Sequence, residues 1–185
     1  MSKIVIVFHS GYGHTKKVAE AVAAGSRGTL LAIDAEGNLP EGGWEQLAAA
    51  DAIVFGSPTY MGGPSWQFKK FADASSKPWF MKHWRNKLAA GFTNSATLNG
   101  DKFSTITYMF TLSQQHGMFW VGMGMHAPNA KKNTRDDINN VGGYAGLMTV
   151  TPSDASADEM VPGDLATARA FGERVVEALA KLARG

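Results

Sequence analysis

No cysteine occurs in the 185 residues, which removes disulfides, thiolate metal sites and cysteine nucleophiles, and is compatible with a reducing compartment. Long apolar runs are missing as well: nothing approaches the roughly 20 residues that a membrane-spanning helix needs. Met1, Ser2 and Lys3 lead directly into an apolar stretch without the pattern of a signal peptide, so a cytoplasmic protein with no membrane attachment is expected. Charge of one sign is scarce too, because 18 Lys and Arg stand against 16 Asp and Glu. The longest basic cluster, Lys131, Lys132 and Arg135, is too short for a nucleic-acid face. No His or carboxylate spacing indicates a metal site, and Asp136–Asp137 reads as a solvated loop pair. Ser10, His14 and Asp34 lack the G-x-S-x-G elbow of a hydrolase triad. What the chain does hold in quantity is glycine (21), methionine (9) and tryptophan (5). Its length suits one domain spanning 1–185, large enough for an unstapled core.

The most informative stretch is the first fifteen residues. Lys3 to Phe8 is β-branched and nearly uncharged, as a parallel strand covered on both faces should be. From Thr15 onward Val18, Ala19, Val22 and Ala23 recur at helical spacing. The string Ser10, Gly11, Tyr12, Gly13, His14, Thr15 therefore lies between the carboxyl end of a strand and the amino end of a helix, where unpartnered amides and the helix dipole collect anions. The spacing is neither G-x-G-x-x-G nor a Gly-Lys-Ser/Thr loop, and hydroxyl donors around one compact turn suit a monophosphate. The alternative is an ordinary strand-to-helix turn with a Ser or Thr cap.

Further along, strands are expected over Gly28–Ile33, Ala52–Gly56, Leu88–Thr93 and Met118–Val121. Helices are expected over Glu45–Ala50, Ser65–Ala72 with Pro64 as an early helical residue, and Phe103–Gln115. Trp66, Phe68 and Phe71 read as core. A closing helix is expected to be capped by Asp164, with Leu165, Ala168, Phe171, Val175, Ala178, Leu179 and Leu182 as its apolar face. Residues 123–163, rich in Gly, Pro, Asn and Asp, show no period, and such a length points to a functional or interface segment. The alternation implies an α/β domain, a doubly wound five-stranded parallel sheet with helices on both faces. The polar clusters 10–15, 57–62 and 93–99 all follow strand ends and should meet in one crevice.

SGYGHT, GSPTYMGGPSWQFKKFAD, GFTNS and QHGMFWVG in this chain resemble the flavodoxin-like NAD(P)H:quinone oxidoreductases, the tryptophan-repressor-binding-protein (WrbA) family, over Lys3 to Ala180. The resemblance implies FMN as cofactor, two-electron reduction of quinones by NADH or NADPH, and a homo-tetramer, or a dimer, that completes the flavin pockets. It implies that Ser10, Gly11, Tyr12, Gly13, His14 and Thr15 hold the FMN phosphate and that Pro58, Thr59, Tyr60, Met61 and Gly62 flank the ring. Asn94, Ser95, Ala96, Thr97, Leu98 and Asn99 correspond to a third flavin loop, and His116 to a histidine bordering the flavin. Tyr12 would lie near the nicotinamide, and Trp79 would face the substrate side of the ring. No catalytic side chain is implied, since the flavin carries the chemistry. The chain departs from the family where P-T-R-F-G is replaced by Pro58, Thr59, Tyr60, Met61, Gly62, where Ala96 and Leu98 replace glycines, and over Pro128 to Asn140. A different class, a flavodoxin-type one-electron carrier, stands as the alternative; such carriers tend to be strongly acidic, unlike this chain.

Overall fold

Ile4, Ile6 and Phe8 alternate with Val5 and Val7, and in the computed structural model, which describes residues 3–182, every one of them is buried. Met1 and Ser2, expected to lead straight into a strand, lie outside the described residues. Strand β1 (Ile4–Phe8) is thus covered on both faces, as its unbroken apolar run demands. Strand β2 (Thr29–Ala32) lies parallel on one side of it and β3 (Ala52–Tyr60) parallel on the other. The short β4 (Gly63–Pro64) folds back antiparallel on the end of β3. Strand β5 (Leu88–Ser95) runs parallel to β3. Beyond β5, one lane is shared by two pieces: β6 (Phe119–Trp120) pairs with its start and β7 (Leu147–Val150) with its end. The order is β2-β1-β3-β5-β6, the doubly wound arrangement expected.

Helices α1 (His14–Ser26), α2 (Gly43–Ala49), α3 (Trp66–Ala74), α4 (Ser76–Phe80), α5 (Lys102–Gln115) and α6 (Pro162–Leu182) follow in chain order. Val18 and Val22 of α1 pack with Phe171 and Val175 of α6 over Ile4, Ile6, Val54 and Phe92. On the opposite face Leu47, Phe68, Phe71, Ile106 and Met109 cover Val5, Val7, Ile53 and Phe55. Helices α1 and α6 cross so closely that a Cβ on Gly172 would lie 2.2 Å from the Val22 carbonyl oxygen, and one on Gly25 1.9 Å from that of Arg169.

Several local expectations are corrected. The fifth strand forms within the expected Met118–Val121, but only as the two-residue β6; the rest of its lane is β7, which falls inside the segment that showed no period. Strand β3 runs on to Tyr60, so Ser57–Tyr60 is strand where a turn cluster was expected. Pro64 sits in β4, and Ser65 caps α3 by accepting from the Phe68 amide. Phe68 and Phe71 are core, but Trp66 is 60% exposed. Helix α6 begins before Asp164, whose buried carboxylate accepts from the Val150 amide and from Arg135. Leu182, expected in the closing apolar face, is exposed.

Candidate functional site

The loop after β1 is shaped by Ser10, whose Oγ accepts from the amides of Gly13 and Lys16 at 3.1 Å each. This curls the chain so that Gly13, at φ 91, caps α1 with no side-chain cap. Gly13 itself offers no side chain, but Ser10 Oγ takes up the Lys16 amide of the first turn, so the plainer reading of a serine cap holds in part. Among the described residues the amides of Tyr12, His14 and Thr15 have no acceptor. Three unpaired donors at the positive end of a thirteen-residue helix form an anion-binding concavity.

The end of β3 supplies the second wall. Tyr60 and Gly63 pair across a two-residue turn, with Met61 at φ 47 and Gly62 at φ 77, the positive dihedrals of a type I′ hairpin. Met61 consequently projects entirely into solvent, away from the cleft that its expected role required. Tyr60 instead turns toward the first loop, its ring edge-on to Tyr12 at 6.2 Å, and its hydroxyl occupies the space where a Cβ on Gly11 would lie. Thr59 points its hydroxyl into the floor, 2.8 Å from both Thr93 and Thr105, so that group is committed to the sheet.

The third wall comes from β5 and the loop after it. Asn94 Oδ1 accepts from Thr149 at 2.8 Å and Thr151 at 3.0 Å, which fixes β7 beside β5. Ser95 and Ala96 line the cleft, while Thr97, Leu98 and Asn99 form an exposed rim. Together with Pro58, these groups enclose a cleft of about 240 Å³ at the carboxyl ends of the strands. The clusters 10–15, 57–62 and 93–99 do meet there, with Met61 and Gly62 turned outward.

Two contributions come from the aperiodic segment and were not anticipated. Thr151 and Ser153 line the cleft, and the chain after them lies along the first loop. There the Ala155 carbonyl is 2.8 Å from His14 Nε2, and Asp158 pairs with Lys17 at 2.9 Å. Lys102 was likewise not singled out. It is 1% exposed and donates to Ser95 Oγ and to the carbonyls of Thr97 and Leu98. A lysine three residues past a loop and at the start of a helix, where the dipole opposes it, is the one cue the sequence offers.

His116 and Trp79 lie elsewhere. His116 follows α5 beside the beginning of β5, with Nε2 2.9 Å from Ser75 Oγ and its ring centroid 4.0 Å from that of Trp84. Burial lowers its pKa to about 4, and Nδ1 is left without a partner. Trp79 is half exposed over the same end of the molecule, with Phe80, Lys82 and Arg85. Within one chain neither reaches the cleft at the opposite ends of the strands. Among the described residues no group of three His, Asp or Glu is placed to hold a metal ion, and no helix is long and apolar enough to cross a membrane.

The family model described as NADPH-dependent FMN reductase matches residues 43–132. Flavodoxin FldP of Pseudomonas aeruginosa is 51% identical over 175 residues, 95% of each chain. An NAD(P)H dehydrogenase (quinone) of Trichlorobacter lovleyi is 33% identical over 208 aligned positions, covering 98% of this chain and 99% of its own. The crystal structure of a flavodoxin, WrbA-like protein from Agrobacterium tumefaciens superposes with a TM-score of 0.82 at 52% identity, covering 98% and 99%.

Proposed function

The chain belongs to the flavodoxin-like NAD(P)H:quinone oxidoreductases of the WrbA type, and we propose that its crevice holds FMN and serves two-electron transfer from NADH or NADPH to a quinone or similar electrophile. The observation that carries this reading is the set of unpaired amides at Tyr12, His14 and Thr15 opening on a hydroxyl-lined cleft. FMN fits these residues: a phosphate matches the concavity, and the Thr, Ser and Asn groups around the cleft suit its polyol and the polar edge of its ring. When bound, FMN supplies the hydride and electron chemistry itself.

The chain's own residues then bind and orient. Ser10, Gly11, Tyr12, Gly13, His14 and Thr15 take the phosphate, Ser10 donating its hydroxyl proton while its Oγ still accepts from the loop amides. Pro58, Thr59 and Tyr60 shape one side of the ring site, and Asn94 through Asn99 the other. Tyr12, 76% exposed at the mouth, would meet the nicotinamide. No side chain is required as acid or base, so none is assigned as catalytic. The roles the resemblance gives Trp79 and His116 require the cleft of another copy, as a homo-tetramer or dimer would supply. Exposed Trp66, Phe80, Phe103 and Phe110 supply apolar surface for such contacts. The absence of cysteine supports a cytoplasmic location.

A flavodoxin-type carrier is the second reading, favoured by the name of the 51% identical Pseudomonas relative. Anaerobic stopped-flow separates the two: FMN-loaded protein is mixed with NADH or NADPH, absorbance near ~450 nm is followed, and benzoquinone is then added. Rapid bleaching and quinone-driven return are expected, and the faster nucleotide names the donor. Bound flavin that neither nucleotide bleaches, but that dithionite reduces in two separate one-electron steps, would favour the carrier.

A further inference from the structure

Lys102 is in an expensive place. Its side chain is buried to 1% exposure, and it occupies the first turn of α5, where the helix dipole repels a cation. Burial pulls its pKa down to about 8, with Asp164 on α6 holding it up and Arg135 pushing it further down, so it still carries its proton at neutral pH. What offsets the cost is a cage of three oxygens: Ser95 Oγ at 2.8 Å, the Thr97 carbonyl at 2.7 Å and the Leu98 carbonyl at 2.9 Å.

Those contacts fix more than the lysine. In a planar trans peptide the N–H points opposite to the C=O. Turning the Thr97 and Leu98 carbonyls inward therefore turns the amides of Leu98 and Asn99 outward, onto the exposed side of a loop whose first residues line the cleft. Among the described residues neither amide has an acceptor. An alternative loop with carbonyls outward would present negative dipoles to the same cleft and leave the ammonium unsatisfied.

We propose that Lys102 is a positioning residue of the crevice, holding the 95–99 loop with its amide donors outward so that this wall favours the electron-rich, reduced form of the cofactor over the oxidised form. The inference rests on the FMN reading of the site. It assigns to a buried cation behind the loop a charge that the chain does not carry at Tyr60 or Met61.

The test compares wild-type protein with Lys102→Met and Lys102→Gln, the latter neutral yet able to donate to the same carbonyls should the methionine variant not fold. Affinity for oxidised FMN is read by fluorescence titration of apoprotein, and the midpoint potential of bound FMN by dye-equilibrated reduction. In Lys102→Met the reduced form is expected to lose about tenfold more affinity than the oxidised form, which appears as a fall in potential of about 30 mV for a two-electron couple, and in Lys102→Gln, which keeps donors to the loop, the fall is in the same direction but smaller. Equal losses in the two states, which leave the potential where it was, would reduce Lys102 to a structural clamp and overturn the proposal, as would unchanged affinity and potential. Failure of wild-type protein to bind FMN is a different result, since it overturns the reading of the crevice itself.

Discussion

His116 shows how a single side chain can be conspicuous in the sequence for one reason and matter in the structure for another. Its place before Gly117 after a helix fits either a flavin contact or a helix-end cap, and in the fold it is a neutral ring wedged between Ser75 and Trp84. Burial depresses its pKa to about 4. As pH falls below the ordinary histidine value near 6.5, the unfolded chain takes up a proton that the folded chain refuses until about pH 4. The sign is therefore a loss of stability on acidification through that window, with a slope of at most about 1.4 kcal/mol per pH unit. Urea unfolding of wild type and His116→Gln across the window checks this: the wild-type midpoint falls more steeply, and parallel profiles would contradict the assignment.

Among the elements, the crossing of α1 and α6 decides whether the anion loop has a rigid base. Gly172 lets α6 touch the α1 backbone at Val22. Gly172→Ala gains roughly 1 kcal/mol of helix propensity but meets a carbonyl that cannot rotate away, and overpacking of this kind costs about 1–3 kcal/mol. Because the approach is to backbone, the clash wins, and a drop in Tm of several degrees is expected by calorimetry. An unchanged or raised Tm would mean that the helices separate freely. The same level of organisation explains what the sequence made legible. Strand β1, helix α1 and strand β5 carry strong periodic or apolar signals and appear where expected. Strand β6 formed where a strand was expected, but β7 was hidden because it contributes only four residues to a polar segment, too short for any period to show. The intervening segment is organised instead by single polar side chains. Asn139 is an example, donating its side-chain amide to the carbonyls of Met125 and Gly143. Lys102 was overlooked for a related reason: a lysine reads as surface unless its three acceptors are seen around it.

For the whole molecule, the cleft draws on β1, β3, β5 and the chain after β7, so a ligand there ties together segments from both halves of the sequence. FMN at about 100 times its Kd should stabilise the protein by about 2.7 kcal/mol, which for a chain of this size raises Tm by roughly 5–10 °C. Differential scanning fluorimetry with FMN and with riboflavin checks both the shift and its dependence on phosphate. A riboflavin shift as large as that of FMN would remove the anion loop from the account. The convergence of the three polar clusters was foreseeable from sequence, since the topology of a doubly wound sheet sends all its strand ends the same way. The placement of Trp79 and His116 away from the cleft was not, because motif similarity does not say which end of the sheet a residue occupies. The pairing of α1 with α6 also sets an order of assembly during synthesis. The helix bearing the anion loop is made well before α6, whose residues supply its apolar cover. A nascent chain therefore cannot complete the base of its anion loop until α6 has been made.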